Sequence, residues 1–116
     1  MEREARTIAA TIAAGAAESS LIDVTWAAGL GLKTPAALEA ETKIAFKVAE
    51  CQDGTFLPLY DDTNTLVEIT VTLNEARAYA LPDEIFYWRY IKLWTEAAGV
   101  DVAQTAERAF VITLKS

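Results

Sequence analysis

The chain has 116 residues, a length that suits one compact domain, residues 1–116. Its 17 acidic and 10 basic residues leave a net charge of −7 with no long Lys/Arg cluster, which argues against nucleic-acid partners and against anionic membrane surfaces. Histidine is absent, which removes the most frequent general base and the most frequent nitrogen ligand for zinc, so we predict a protein that is not an enzyme.

The N-terminal residues are charged and are not followed by an apolar run of signal-peptide or transmembrane length. This pattern leads us to expect synthesis and folding in a cytoplasm, with no membrane partner. The one cysteine, Cys51, cannot form an intrachain disulfide. Its neighbours indicate a buried or half-buried residue at the end of a strand.

The alanine-rich first forty residues have helix propensity, and Ile8 and Ile12 fit a helical spacing as well as an alternating one. We favour strands here. Residues 21–26 are rich in β-forming side chains, and a break is expected after them at Gly29 and Gly31.

Apolar and polar side chains alternate over residues 42–49, which is typical of a half-buried strand. The dipeptide Asp53-Gly54 follows, and Asp-Gly is well suited to the positive φ angles of a tight hairpin turn. Apolar alternation resumes over residues 56–60. The whole segment 42–60 is therefore predicted to form a β-hairpin.

The most regular alternation covers residues 67–73, which we predict as the strongest strand, and two further strands are predicted over 88–94 and 110–114. Short helical turns after Pro35 and Pro82 would not change the fold class. Seven or so short strands separated by turns predict an all-β fold, namely an antiparallel β-sandwich that is jelly-roll-like.

Acidic side chains near the predicted turns are the candidates for metal or acid–base chemistry. Asp53, Asp61, Asp62 and Asn64 offer oxygen donors that could hold calcium, although their spacing matches no EF-hand loop. Adjacent aspartates in turns are usually solvated. We therefore predict no catalytic residue, no metal and no cofactor, and a loop calcium stays as the alternative.

An aromatic-rich segment contains Tyr87, Trp88, Tyr90 and Trp94. Alternation places Tyr90 and Trp94 on the face opposite the aliphatic side chains of the same strand. Two interpretations stay open. The rings pack in the core or under a loop, or they form an exposed platform that anchors a protein partner or stacks on a sugar.

Residues 49–61 and 88–93 together resemble the "D-G-x-x-F" and "R-Y-I-K-L" segments of discoidin-type domains, which are jelly rolls. Most of the chain also resembles small structural-region proteins of tailed bacteriophages and prophages. The segments that match this second group are residues 11–15, 46–62, 88–92 and 108–114.

The second resemblance implies a virion component, either a head decoration (cement) protein or the base of a head fibre. Such a protein would bind the major capsid protein or copies of itself, and would lie on the capsid surface after synthesis in the host bacterial cytoplasm. Residues 1–6 would form an extended N-terminal arm. A carbohydrate-binding or receptor-recognition module is the alternative. The interface candidates are Arg3, Arg6, Tyr87, Trp88, Tyr90 and Trp94.

Overall fold

The computed structural model describes residues 5–115, which form ten β-strands and one short 3-10 helix. No helix in this range has the length and apolar character that crossing a bilayer requires. The elements in chain order are β1 (Ala5–Ile12), β2 (Ile22–Asp23), β3 (Gly29–Lys33), β4 (Lys43–Ala49), β5 (Leu57–Pro58), β6 (Glu68–Thr70), β7 (Ala78–Ala80), the 3-10 helix (Asp83–Tyr87), β8 (Tyr90–Ala97), β9 (Val100–Asp101) and β10 (Arg108–Lys115).

The strands form two sheets in which every pairing between named strands is antiparallel. The first sheet has the order β1-β10-β3-β7. The second has the order β2-β8-β4-β5, with β6 also paired to β4 and β9 paired to β8. The predicted all-β antiparallel sandwich is therefore confirmed, and the described residues 5–40 contribute strands instead of helix.

The core lies between the two sheets. In β10, Phe110, Ile112 and Leu114 are fully buried and alternate with more exposed residues, as the two-residue period of a strand requires. They share one apolar cluster with Phe46 of β4 and Leu93 of β8. Burying a side chain of this size stabilises the fold by roughly 1.5–3 kcal/mol, so these alternating positions supply much of the driving force.

The segment predicted as the strongest strand, residues 67–73, is mostly irregular. Only Glu68–Thr70 pairs as β6, against the start of β4. Beyond that point the backbone leaves the sheet, and the N–H of Thr72 donates to the phenol oxygen of Tyr79 at 3.1 Å. Alternation predicts which side chains are buried. A β-strand also requires a partner strand with which its backbone can hydrogen-bond along the whole segment. β4 pairs with only three residues of this segment.

Two predicted local features are wrong. The expected break at Gly29 and Gly31 lies inside β3, because β10 and β7 pair with this segment from both sides. Residues 36–40 form no helical turn after Pro35. The predicted turn after Pro82 is confirmed as the 3-10 helix. At Gly29 and Gly31, pairing with the neighbouring strands overrides the weak local preference of glycine for a break in the strand.

The predicted N-terminal arm, residues 1–6, lies partly outside the described residues, which begin at Ala5. Ala5 and Arg6 are the first two residues of β1 and are paired with Lys115 and Leu114 of β10. These two residues therefore belong to the sandwich and not to an arm.

The predicted hairpin over residues 42–60 is confirmed, since β4 pairs with β5. Its turn differs from the prediction. Gly54 does not have a positive φ, and the strands are joined by the longer loop 50–56. Cys51 lies exposed in this loop and not at a buried strand end, and its carbonyl accepts a hydrogen bond from the N–H of Gly54 at 3.1 Å.

The close approach of Cys51 to the backbone at position 54, and not a positive φ angle, explains the glycine there. A Cβ there would lie 2.8 Å from Sγ of Cys51 and 3.2 Å from its carbonyl oxygen. We expect Gly54→Ala to lower the free energy of unfolding by about 1 kcal/mol, and by less in a Cys51→Ala background that lacks the sulfur. Urea denaturation of the four proteins measures this coupling. Equal costs in both backgrounds would contradict the contact.

Candidate interaction surface

Exposed hydrophobic side chains are concentrated in one region. Leu57, Tyr60, Tyr87 and Trp88 are 61%, 49%, 86% and 37% exposed, and we call them the aromatic patch. Within residues 5–115 the other large exposed hydrophobic side chain is Val100, at 68%, which does not line this region. Contiguous exposed apolar surface of this kind is typical of an interaction site.

Two structural elements hold the aromatic patch in place. Leu57 belongs to β5 at the edge of the second sheet, and Tyr60 follows this strand. Tyr87 ends the 3-10 helix and Trp88 comes next, with its N–H donating to the carbonyl of Ile85 at 3.1 Å. Ile85 is fully buried and anchors the helix to the core, so the rings that follow it are presented outward.

The patch surrounds two adjoining depressions of about 360 and 300 Å³. Tyr60 and Trp88 line both of them. The larger one, which we call the acidic depression, combines rings with carboxylates. Its charged and aromatic lining consists of Tyr60, Asp61, Asp62, Glu84, Tyr87 and Trp88. Aromatic faces beside carboxylates can stack on a ligand and accept hydrogen bonds from it.

Asp61 organises the loop at the edge of the acidic depression. Its Oδ1 accepts hydrogen bonds from the hydroxyl and the N–H of Thr63, at 2.7 and 2.9 Å, and from the N–H of Thr65 at 3.0 Å. The hydrogen bond from the Thr63 hydroxyl, followed by those from the two backbone N–H groups, lowers the pKa of Asp61 below its ordinary value. The carboxylate therefore stays ionised and contributes negative charge to the depression.

The structure does not assemble the calcium site that was kept as an alternative. In the part of the chain that is described, no group of three or more acidic or cysteine side chains is arranged to hold a metal. Of the predicted donors, Asp61 directs Oδ1 to its own loop, and Asn64 adopts a φ of 62° within the same turn. Turn formation thus explains the position of the Asp61 side chain.

The structure places two of the predicted interface rings on the surface and two in the interior. Tyr87 and Trp88 lie together on the aromatic patch, whereas Tyr90 and Trp94 are buried. The two buried rings do lie on the strand face opposite the aliphatic core residues, as alternation predicts, but this face is covered. They therefore cannot form an exposed platform.

Trp94 shows how the outer face of β8 is covered. Its ring packs with Ala17 and Ala45, and Lys47 Nζ lies 4.8 Å from the ring centroid. The indole Nε1–H donates to Oδ1 of Asp101 at 2.7 Å. The ring is held by hydrophobic, cation–π and hydrogen-bonding contacts, which makes its role structural.

Of the two predicted arginines, the structure describes only Arg6, and this residue does not line the patch. Arg3 lies outside the described residues. The guanidinium of Arg6 lies 5.1 Å from the ring centroid of Trp26 and lines neither depression. Sequence reasoning missed Leu57 and Tyr60 as surface residues. The available signal was an aromatic residue at a strand end directly before the Asp61-Asp62 turn.

Comparison with protein-family models and with curated proteins gave no match. A solved structure is similar over the full length: the crystal structure of the SPBc2 prophage-derived protein YomS matches with a TM-score of 0.61. The alignment covers 100% of this chain and 96% of that chain, at 16% sequence identity. At this identity the similarity shows a shared fold, so the sandwich described above is also the fold of a prophage-derived protein.

Proposed function

We propose that this chain is a non-enzymatic structural protein of a bacteriophage particle, either a head decoration (cement) protein or the base of a head fibre. It would lie on the capsid surface and bind the major capsid protein, copies of itself, or both. The aromatic patch is the observation that carries the proposal, because exposed Tyr and Trp side chains in depressions are typical anchors of protein interfaces. The fold shared with a prophage-derived protein supports a phage origin.

The strand order supports a jelly roll as the finer description of the sandwich. The first and last strands, β1 and β10, are neighbours in one sheet, while β2 and β8 are neighbours in the other. Strands β1, β3, β7 and β10 alternate along the chain with members of the second sheet. Such repeated crossing between two antiparallel sheets is how a jelly roll wraps its core.

A protein of this kind would act through binding alone. A subunit that binds the assembled shell but not its free components stabilises the shell by mass action, and this effect requires no catalytic group. Stable interfaces bury about 1,200–2,000 Å² in total, so the patch would form the centre of a larger contact.

A carbohydrate-binding or receptor-recognition module is the second candidate. The observation in its favour is the presence of three exposed rings beside carboxylates, since rings stack on sugars and carboxylates accept hydrogen bonds from their hydroxyls. A carbohydrate-binding role requires the rings to stay exposed to solvent in the assembled particle, whereas a docking role requires them to be covered by the partner.

The proposal is tested with purified particles of the phage that encodes the chain. We expect quantitative mass spectrometry and imaging to find many copies on the head. Particles carrying the Tyr87→Ser, Trp88→Ser double variant should contain at least about tenfold fewer copies, because truncating one hot-spot aromatic residue commonly costs about 2 kcal/mol or more. The control, Val100→Ser, removes another exposed hydrophobic side chain, one that lies outside the patch, and should keep normal occupancy.

Two results would count against the proposal. Recovery of the chain only as a free cytoplasmic monomer would remove the virion assignment. Unchanged occupancy of the double variant would exclude the aromatic patch as the docking surface. Circular dichroism of each variant checks that the sandwich is still folded.

A further inference from the structure

Cation–π contacts are a repeated feature of this fold. The rings of Trp26, Phe56, Tyr90 and Trp94 each have a Lys or Arg group of the same chain over them, at 4.5 to 5.4 Å from the ring centroid. These contacts lie outside the acidic depression. Each of these four rings is thus already in contact with a cation of the chain itself.

The rings of the acidic depression differ from these four. In the described part of the chain, no Lys or Arg lies over Tyr60, Tyr87 or Trp88, and no basic side chain lines the depression. Three carboxylates do line it, from Asp61, Asp62 and Glu84. The electrostatic potential there is thus negative from two sources, the carboxylates and the faces of the rings.

The chemistry of the lining favours a cation over a neutral sugar. A sugar hydroxyl both donates and accepts hydrogen bonds, and sugar sites accordingly combine acceptors with amide or guanidinium donors. The lining of this depression includes no Asn, Gln, Lys or Arg, so its side-chain donors are limited to the phenol and indole groups. A Lys or Arg side chain brings donors and positive charge together, and it matches both the carboxylates and the ring faces.

We infer that the acidic depression binds a Lys or Arg side chain presented by a basic segment of the partner protein. The inference rests on the proposed docking function and specifies the chemistry of the partner. The cation would lie over Tyr87 or Trp88 with Asp62 or Glu84 as its charge partner. The net charge of −7 would attract such a segment from a distance and accelerate its association.

The test is an NMR titration of the full ¹⁵N-labelled chain with a short peptide in which glycines separate two arginines. We expect saturable shifts of the Trp88 indole signal and of amides in the segments 60–65 and 84–88. The same peptide with citrulline in place of arginine has nearly the same shape but no charge, and it should not bind. Binding of the arginine peptide should weaken as salt concentration rises.

Matched charge variants locate the site. The Asp62→Asn, Glu84→Gln double variant should bind the arginine peptide about tenfold more weakly. The control, Glu41→Gln with Glu107→Gln, changes the net charge equally at two exposed positions that do not line the depression, and it should bind almost normally. Equal weakening in both double variants would show only general attraction to an acidic protein and would overturn the inference.

The remaining outcomes separate this inference from the proposed function. Equal binding of the citrulline peptide would exclude a cation site. Shifts of the same signals by a neutral oligosaccharide, without any response to the arginine peptide, would overturn the inference in favour of sugar binding. If the peptide fails to bind but the Tyr87→Ser, Trp88→Ser variant still loses particle attachment, the docking function stands and only the basic partner is excluded.

Discussion

Phe110→Ala is expected to lower the free energy of unfolding by about 3–5 kcal/mol, which is the usual cost of truncating a buried Phe. Phe110 is fully buried on β10, the strand that pairs with both β1 and β3 in the first sheet. A domain of this size has a total stability of about 5–15 kcal/mol, so the variant should be close to its folding limit. Urea denaturation followed by circular dichroism measures the loss.

The neighbouring residue supplies the control for this prediction. Val111 lies on the opposite face of β10 and is only partly buried. Val111→Ala should therefore cost no more than about 1 kcal/mol. Equal effects of the two substitutions would contradict the assignment of Phe110 to the core between the sheets.

The second large effect concerns a buried carboxyl pair beside β4. Glu96 on β8 is fully buried, and its Oε1 accepts a hydrogen bond from the N–H of Gly99 at 3.0 Å. Its Oε2 and the Oε2 of Glu68 are both buried without a hydrogen-bond partner among the described residues. Burial, and then the neighbouring carboxyl group of Glu68, raise the pKa of Glu96 from its usual value to about 7.

The charges around this pair do not remove the cost of ionising both groups. Lys43 of β4 lies 3.4 Å from Oε1 of Glu68 and pairs in register with Glu96. Asp101 of β9 also pairs in register with Glu96, but its carboxylate is hydrogen-bonded to Trp94. One cation thus faces two carboxyl groups, so Lys43 only partly offsets the rise in the pKa of Glu96 that burial causes.

A raised folded-state pKa means that the folded chain holds a proton that the unfolded chain has already released. The resulting stability is fully present below the unfolded-state pKa, near 4.5, and is lost as the pH rises through about 7. We expect the free energy of unfolding to fall by about 1–3 kcal/mol between about pH 5 and pH 8 from this group.

Glu96→Gln should remove most of this dependence, because a neutral amide keeps an acceptor for Gly99 and supplies an N–H for Glu68. The variant should be more stable than the natural protein at about pH 8 by roughly 1–3 kcal/mol, and similar to it at about pH 5. Glu107→Gln, at an exposed position, is the control and should leave the pH profile unchanged. A profile of Glu96→Gln that parallels that of the natural protein would contradict the assignment.

Much of the fold could be predicted from the sequence, because the signals that specify strands are local. The alternation of residues 110–114 correctly indicated which side chains of β10 are buried. The turn signal after Pro82 and the hairpin over residues 42–60 were also found. The prediction of a long strand over residues 67–73 was wrong, because alternation indicates which face is buried and not how long the partner strand is.

The candidate surface was only partly predictable. Tyr87 and Trp88 were identified from the aromatic-rich segment, but Tyr90 and Trp94 were grouped with them although they are buried. Leu57 was not identified, since the same alternation fits a core strand and an exposed sheet edge. Exposure of a ring depends on what covers it, and no neighbouring residue in the sequence carries that information.

The sequence alone determined the fold class, the burial pattern of the main strands and the absence of histidine chemistry, because these follow from residue type and spacing. The tertiary structure decided which faces stay open. Thr95 donates to the carbonyl of Ala17, 78 positions away, and this contact pairs residues 17–19 with the edge of β8, which brings Ala17 against Trp94. Long-range pairing of this kind buried Trp94 and left Tyr87 and Trp88 exposed, so the position of the interaction surface is a property of the folded chain.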